Sequence, residues 1–248
     1  MKIIDVNEQN VTETGFFCRM SRKKTDGYQR KLSWLRARFS EGLKIKMLDL
    51  SEGGRGFIEY IPGEHAWRAV RADGYMIIHC LWVVGSSKGK GYAGMLLEEC
   101  LADARKEGLK GVAMVTSEGN WLLGKKLLVG HGFEPVDQVP PSFHLMVKKF
   151  DRGTSPSFPT DWEIRAKRFG EGLTIIRTDQ CPYLDDAVKL AVEAARGKKT
   201  SVNVVEFTSA REIQERAPSP SGVFTVLLNG QILSHHYLHT KDLLEKLA

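Results

Sequence analysis

The period of the apolar positions changes repeatedly along the chain, and each change marks an element. "KIIDV" at the start reads as a short strand. "DGYQRKLSWLRARFSEG" places Tyr28, Leu32, Leu35 and Phe39 at helical spacing, and Gly42 ends the run. Three strand-like runs follow, "LKIKMLDL", "GFIEYIP" and "GYMIIHCLWVV", the first two separated by the turn "SEGGR". A helix from Gly91 to about Lys106 buries Met95, Leu96, Leu97, Cys100 and Leu101, and Gly108 stops it. "KGVAMVTS" is an apolar strand, "WLLGKKLLVG" a short helix and "HLMVKKF" a further strand.

Residues 151–170 carry prolines and little periodicity, which makes them the expected linker. Beyond it a second unit alternates strand "LTIIRT", helix "YLDDAVKLAVEAAR", strand "VNVVEF" and helix "SAREIQERA". The hairpin "VFTVLLNGQIL" turns at Asn229-Gly230, a pair suited to left-handed backbone, and the helix "TKDLLEKLA" follows. The expected division is therefore 1–150, a linker at 151–170, and 171–248.

Composition changes this picture little. The 248 residues are 42% hydrophobic and 27% charged, ordinary values for a packed protein. The longest apolar run, "MIIHCLWVVG", is too short for a bilayer, and the start of the chain lacks the apolar core of a signal peptide. The expectation is a cytoplasmic protein without a membrane partner. The net charge of +6 is scattered among acids, so no nucleic-acid partner is expected either. Cys18, Cys80, Cys100 and Cys181 show neither metal-ligand nor disulfide spacing.

The chemistry-bearing stretch is "VVGSSKGKGYAGMLLEEC", Val83 to Cys100. Gly89, Gly91 and Gly94 match the spacing of a dinucleotide fingerprint, which would imply a nicotinamide oxidoreductase. Four residues intervene between Val84 and Gly89, however, and the next strand lacks the acidic residue expected about 20 positions on. The alternative is a pyrophosphate cradle. Backbone N–H groups of Lys88 to Gly94 would point into the turn, the positive end of the next helix would reinforce them, and Lys88 and Lys90 would add charge.

Lys88, Gly91 and Ala93 resemble the Arg/Gln-x-x-Gly-x-Gly/Ala signature of the GNAT acyltransferases, which bind acetyl-CoA. The resemblance covers about residues 1–150 in element order, including "HGF" around Gly132. It implies an α/β (α+β) fold with a mixed central sheet flanked by helices, and transfer of an acetyl group to a small-molecule acceptor, an amine or alternatively a thiol, by direct attack. It further implies that Leu81, Trp82, Val83 and Val84 border the pantetheine arm, and that Lys88, Gly89, Lys90, Gly91, Tyr92 and Ala93 cradle the pyrophosphate. Asn120 resembles the family asparagine that meets the cofactor beyond the fifth strand. Lysine in place of Arg/Gln is a mild departure.

Such a transfer needs a neutral amine, so a base must take its proton. His79 lies on the strand before the cradle, and strict alternation places it on one face with Leu81 and Val83. The run resembles that of the arylalkylamine N-acetyltransferases, although their second histidine corresponds to Ile77. Glu59, on the neighbouring strand, is the other candidate base. The position of the usual tyrosine acid holds Leu128, so no acid comes from that helix. Tyr60, Trp67 and Arg68 are candidate acceptor-pocket residues, and Cys18 lies where acceptors often enter. Ordinary core packing is the competing role for the aromatics and the cysteines.

In the second unit, Cys181-Pro182-Tyr183 resembles the glutaredoxin site, with Leu184 replacing the second cysteine, and the element order resembles a smaller thioredoxin-like α/β domain. The pairing is similar to GNAT proteins carrying a C-terminal YoaP-type domain. Asp179, Asp185 and Asp186 would oppose acidification of the thiol, and Pro218 or Pro220 would supply the cis-proline of that fold. A protein using Cys181 to sense CoA or thiols without turnover is the non-enzymatic alternative. His235, His236 and His239 have no specific metal-binding spacing, and no metal site is expected.

Overall fold

The computed structural model describes residues 1–197, 201–238 and 240–246. Its contacts divide the chain into two compact units. The first comprises Met1–Arg22, Leu35–Ala66 and Val70–Phe158; the second comprises Lys23–Trp34, Trp67–Ala69 and Pro159–Ala248.

The first unit is built on a seven-stranded sheet. Its strands are β1 (Ile3–Val6), β2 (Lys44–Leu48), β3 (Gly56–Pro62), β4 (Met76–Val83), β5 (Gly111–Ser117), β6 (Glu134–Val139) and β7 (Phe143–Lys149). They lie in the order β1-β2-β3-β4-β5-β7-β6. Short turns join β2 to β3, and the ladders from β1 through β4 are antiparallel. The β4–β5 pair is parallel, because the chain must cross back through a helix to begin β5. That helix, α3 (Tyr92–Lys106), buries Leu96, Leu97, Cys100, Leu101 and Ala104 at helical spacing. They pack on Ile58, Tyr60, Met76, Ile78, Leu81, Val112 and Met114 from the sheet, as the periodicity required, whereas Met95, expected on the same face, is 41% exposed.

Two irregularities interrupt the pairing of β4. The β4–β5 ladder holds only from Met76–Ile78 against Val112–Met114, although both strands run on, to Val83 and Ser117. Their C-terminal halves therefore splay apart. In the β3–β4 ladder, Glu59 pairs with Cys80 but Tyr60 with Ile78, so His79 is the extra residue of a bulge.

Helices α1 (Val11–Thr14) and α4 (Lys126–Gly130) complete this unit together with the last part of α2 (Asp26–Phe39). The expected helix over 121–130 shrinks to α4. Trp121 takes a left-handed φ of 57°, and the Ser117 N–H closes the loop onto the Leu123 carbonyl at 3.3 Å. Strand β6 and helix α1, each short, were not apparent from periodicity.

The second unit holds a four-stranded sheet of β8 (Leu173–Arg177), β9 (Val202–Glu206), β10 (Phe224–Leu228) and β11 (Gln231–Ser234), ordered β11-β10-β8-β9. Strand β8 is parallel to β9 and antiparallel to β10. Helices α6 (Leu184–Gly197), α7 (Ala210–Arg216) and α8 (Thr240–Lys246) follow the expected alternation. The hairpin turns at Asn229 (φ 51°) and Gly230 (φ 72°), the left-handed pair that its sequence favours. Within 151–170, the expected linker, the chain forms helix α5 (Trp162–Lys167), anchored by the buried Arg165 reaching back to Asp161 at 2.8 Å.

Candidate active site

The glycine turn sits where β4 ends and α3 begins. Gly85, Gly89 and Gly91 have φ of 60°, 76° and 78°, values that a side chain resists. Gly91 is the N-cap of α3, and a Cβ on Gly89 or Gly91 would project into open space. The Met95 N–H is the first to bond within the helix, to the Gly91 carbonyl at 3.1 Å. Among the described residues, the N–H groups from Gly89 to Gly94 donate to no protein acceptor, as the first turn of a helix requires. No acidic residue lies in that turn, while Lys88 and Lys90 are exposed beside it.

One expected donor is lost. The Lys88 N–H bonds the Gly85 carbonyl at 3.2 Å, because residues 85–87 form a short 3-10 turn, so the set of available amides begins at Gly89. The turn is fixed to the β2–β3 loop. Arg55 N–H donates to Ser87 Oγ at 3.0 Å, and Val84 N–H donates to the Arg55 carbonyl at 2.9 Å. A Cβ on Gly94 would meet the His131 ring at 2.8 Å, so this glycine serves close packing. These amides, the helix dipole and the open approach fit a diphosphate.

Leu81 to Val83 lie along the half of β4 that pairs with β3 but not with β5, and Val84 follows, at the splay. Leu81 and Val83 face α3, whereas Trp82, 44% exposed, faces the other way opposite Phe57. Asn120 follows β5 as expected and is buried. Its amide nitrogen, however, donates to Ser117 Oγ at 2.7 Å, within a network that includes Ser142. The asparagine thus ties the end of β5 to the start of β7.

The bulge overturns the expected facing of His79. Met76 and Ile78 face α3, and so do Leu81 and Val83, so the alternation slips by one residue at His79–Cys80. His79 is therefore absent from the α3-facing core and meets Glu59 instead, with Nδ1 3.2 Å from Oε1. Both residues are at most 2% exposed. A carboxylate and an imidazole nitrogen at this separation share a proton between them, since two bare acceptors would repel. The sequence thus placed the two residues on neighbouring strands but misjudged the face of His79.

Glu59 alternates with Ile58 and Tyr60, so it shares a face with Phe57. Phe17 stacks on Phe57 with ring centroids 5.0 Å apart. That contact lays the Phe17–Cys18–Arg19 turn against this face, with left-handed φ of 76° at Phe17 and 54° at Arg19. The structure thereby gathers Glu59, His79, Cys18 and Trp82 on the side of the sheet away from α3. Phe17 and Phe57 join them, and only the register of β3 and the stacked rings reveal it.

Other candidates have different surroundings. Tyr60 is fully buried on the α3 face, and its hydroxyl donates to Asp103 Oδ2 at 2.7 Å. Burial, with Cys100 and Asp103 beside it, pushes its phenol above the ordinary range. It is a core residue, not an acceptor-pocket wall. Trp67 and Arg68 belong to the second unit, where Trp67 meets Trp34 edge-on at 5.0 Å and Arg68 Nη1 donates to Gln180 Oε1 at 2.6 Å.

Cys181 lies just before α6, half-buried, with its carbonyl accepting the Leu184 N–H at 3.2 Å. The acids expected to oppose its ionisation are compensated in part. Arg177 meets Asp179 at 2.6 Å and Asp185 at 3.4 Å, and Arg30 meets Asp179 at 3.0 Å. Burial works against the Asp185 charge, yet Lys189 and Arg177 hold its carboxyl below the usual range. Neither Pro218 nor Pro220 follows a cis bond; the cis bond among the described residues is Pro140–Pro141. His235 and His236 are half-buried, not exposed, and His239 lies outside the described residues. No cluster of metal-ligating side chains occurs among the described residues, and no helix there is long and apolar enough to cross a membrane.

Comparison with known proteins completes the assignment. Residues 20–120 match the family model described as acetyltransferase (GNAT). A Bacillus subtilis protein described as the uncharacterized N-acetyltransferase YoaP is 30% identical over 243 residues, covering 96% of this chain and 95% of the relative. Among solved structures, the ribosomal-protein-alanine N-acetyltransferase of Brucella melitensis shares 17% identity, with a TM-score of 0.44 over 60% of this chain and all of that one. The Escherichia coli GNAT protein YhbS, crystallised with CoA, shares 13% identity, with a TM-score of 0.41 over 64% of this chain and 89% of that one. The chain belongs to the GNAT acetyltransferase family and is an acetyl-CoA-dependent N-acyltransferase.

Proposed function

We propose that the protein acetylates a small amine by direct attack within a ternary complex, with the Glu59–His79 pair receiving the amine proton. The observation that carries this reading is the burial of that pair, 3.2 Å apart, on the sheet face away from α3 and beside the β4–β5 splay. Acetyl-CoA, when bound, supplies an activated thioester. The Gly89–Gly94 amides would hold its diphosphate, and the edge of β4 from His79 to Val83 that β5 leaves unpaired would flank its extended arm. The amine nitrogen attacks the thioester carbon, the carbon–sulfur bond breaks, and the sulfur leaves with the electron pair. The proton lost by the amine passes to the shared Glu59–His79 site. Phe17, Phe57 and Trp82 would wall the acceptor side.

The second unit is read as thioredoxin-like, supported by the strand order β11-β10-β8-β9 with β8 parallel to β9. Under this reading 1–150 is the transferase domain and 171–248 the appended one, in a cytoplasmic protein. Replacement of the second active-site cysteine by Leu184 leaves no dithiol chemistry there.

The test is acetyl transfer across an amine panel by wild type and Glu59→Gln. The expected result is turnover by wild type, a loss of about 10²- to 10⁴-fold in kcat for the variant, and unchanged CoA affinity. Unchanged kcat in the variant would remove the pair from the mechanism. CoA binding with no turnover across the panel would favour a sensing role instead.

A further inference from the structure

A cavity of about 260 Å³ in the second unit is lined by Arg165, Arg168, Phe169, Asn203, Val205 and Arg216. Three guanidinium groups contribute to it, and no carboxylate is among the lining residues. Asn203 and Val205 come from one face of β9, an edge strand, whereas Val204 on the opposite face is 42% exposed.

The three arginines are not equivalent. Arg165 is a fixed wall, with Nε on Asp161 at 2.8 Å and Nη1 on the Gln214 and Ala217 carbonyls at 2.8 and 3.3 Å. Arg216 meets Glu212 at 2.9 Å through Nη1, and its guanidinium stands 5.3 Å from the Phe207 ring centroid. Arg168 is exposed and has no ion pair or side-chain hydrogen bond among the described residues. Two of the three charges are thus already shared with a carboxylate, and the third is not. The site carries excess positive charge, an amide on Asn203, and apolar surface from Phe169 and Val205.

We propose that this cavity binds a small phosphate monoester. Its phosphate would lie between Arg168 and Arg216, and the apolar part of its alcohol against Phe169 and Val205. A phosphate offers three terminal oxygens and nearly two negative charges to two forked donors and an amide. A carboxylate offers two oxygens and one charge, and would leave donors unmatched. The volume lies just below the roughly 300–1,000 Å³ of sites for drug-sized ligands, so the ester is small.

The test is calorimetric titration of the full chain with phenyl phosphate, inorganic phosphate and benzoate at constant ionic strength, with saturating CoA present so that the glycine turn is occupied. The expected result is saturable binding of phenyl phosphate, about tenfold weaker binding of inorganic phosphate, and none of benzoate. Arg168→Gln and Arg216→Gln should each weaken phenyl phosphate about tenfold or more, with circular dichroism unchanged for the exposed Arg168→Gln. Absence of phenyl phosphate binding at millimolar concentration overturns the proposal, as does binding untouched by Arg168→Gln. Equal affinity for inorganic phosphate overturns the assignment to an ester.

Discussion

Substituting alanine at Gly91 perturbs the backbone and the cofactor approach together, and a matched control separates the two. Gly91 and Gly108 flank α3 at opposite ends, with φ of 78° and 71°, and a Cβ on either meets open space. Alanine in the left-handed region costs about 1–2 kcal/mol, so both variants should lose about that much stability. Only at Gly91 does the new methyl group stand at the N-cap before the unbonded amides. Displacing a diphosphate oxygen from one of those donors forfeits a charge-assisted hydrogen bond, worth about 1.5–3 kcal/mol. That corresponds to about 10- to 150-fold in Kd. The helix runs from Tyr92 to Lys106, about 22 Å at 1.5 Å per residue, so Gly108→Ala is remote from the turn. The assay is calorimetry with CoA alongside urea unfolding of all three proteins. Equal CoA affinities in wild type, Gly91→Ala and Gly108→Ala would refute the placement of the diphosphate at this helix end.

Two further outcomes are set by the side-chain environments. Tyr60→Phe removes the 2.7 Å bond to Asp103 and should destabilise the protein by about 1–3 kcal/mol in urea, leaving the acceptor KM unchanged; a raised KM at intact stability would return Tyr60 to the acceptor pocket. Burial, with His236 beside it, pushes the pKa of His235 down to about 4, against an unfolded value near 6.5. Between those values the unfolded chain takes up a proton that the folded chain refuses. Stability from this group is therefore intact above about pH 6.5 and falls by up to about 3 kcal/mol as pH drops to 4. His235→Gln should flatten that decline in unfolding measurements of the full chain, and parallel pH slopes would contradict it.

The sequence carried the architecture wherever local pattern and tertiary packing agree. Leu96, Leu97, Cys100 and Leu101 announced the face of α3, and Asn229-Gly230 announced a hairpin because few other pairs accept two left-handed residues. The glycine turn was legible for the same reason, since Gly89 and Gly91 are required by their φ values. What stayed hidden depended on register. Alternation is a local rule, and nothing near His79 signals that a residue is inserted relative to β3, so its facing was misjudged. Tyr60 and Glu59 are adjacent, yet one packs under α3 and the other faces away from it beside His79. Only the position of α3 decides which. The stacking of Phe17 on Phe57 joins residues 40 positions apart and leaves no periodic trace. The arginines of the cavity in the second unit are likewise drawn from α5, the residue after it, and the end of α7.

The slip at His79 also shows what the added residue is for. Excising that one position would restore an unbroken two-residue rhythm from Met76 onward, with Leu81 and Val83 still beneath the long helix and Trp82 still turned outward. What the excision would remove is the imidazole beside Glu59. In this strand, therefore, the inserted position serves the pair it completes and not the packing around it.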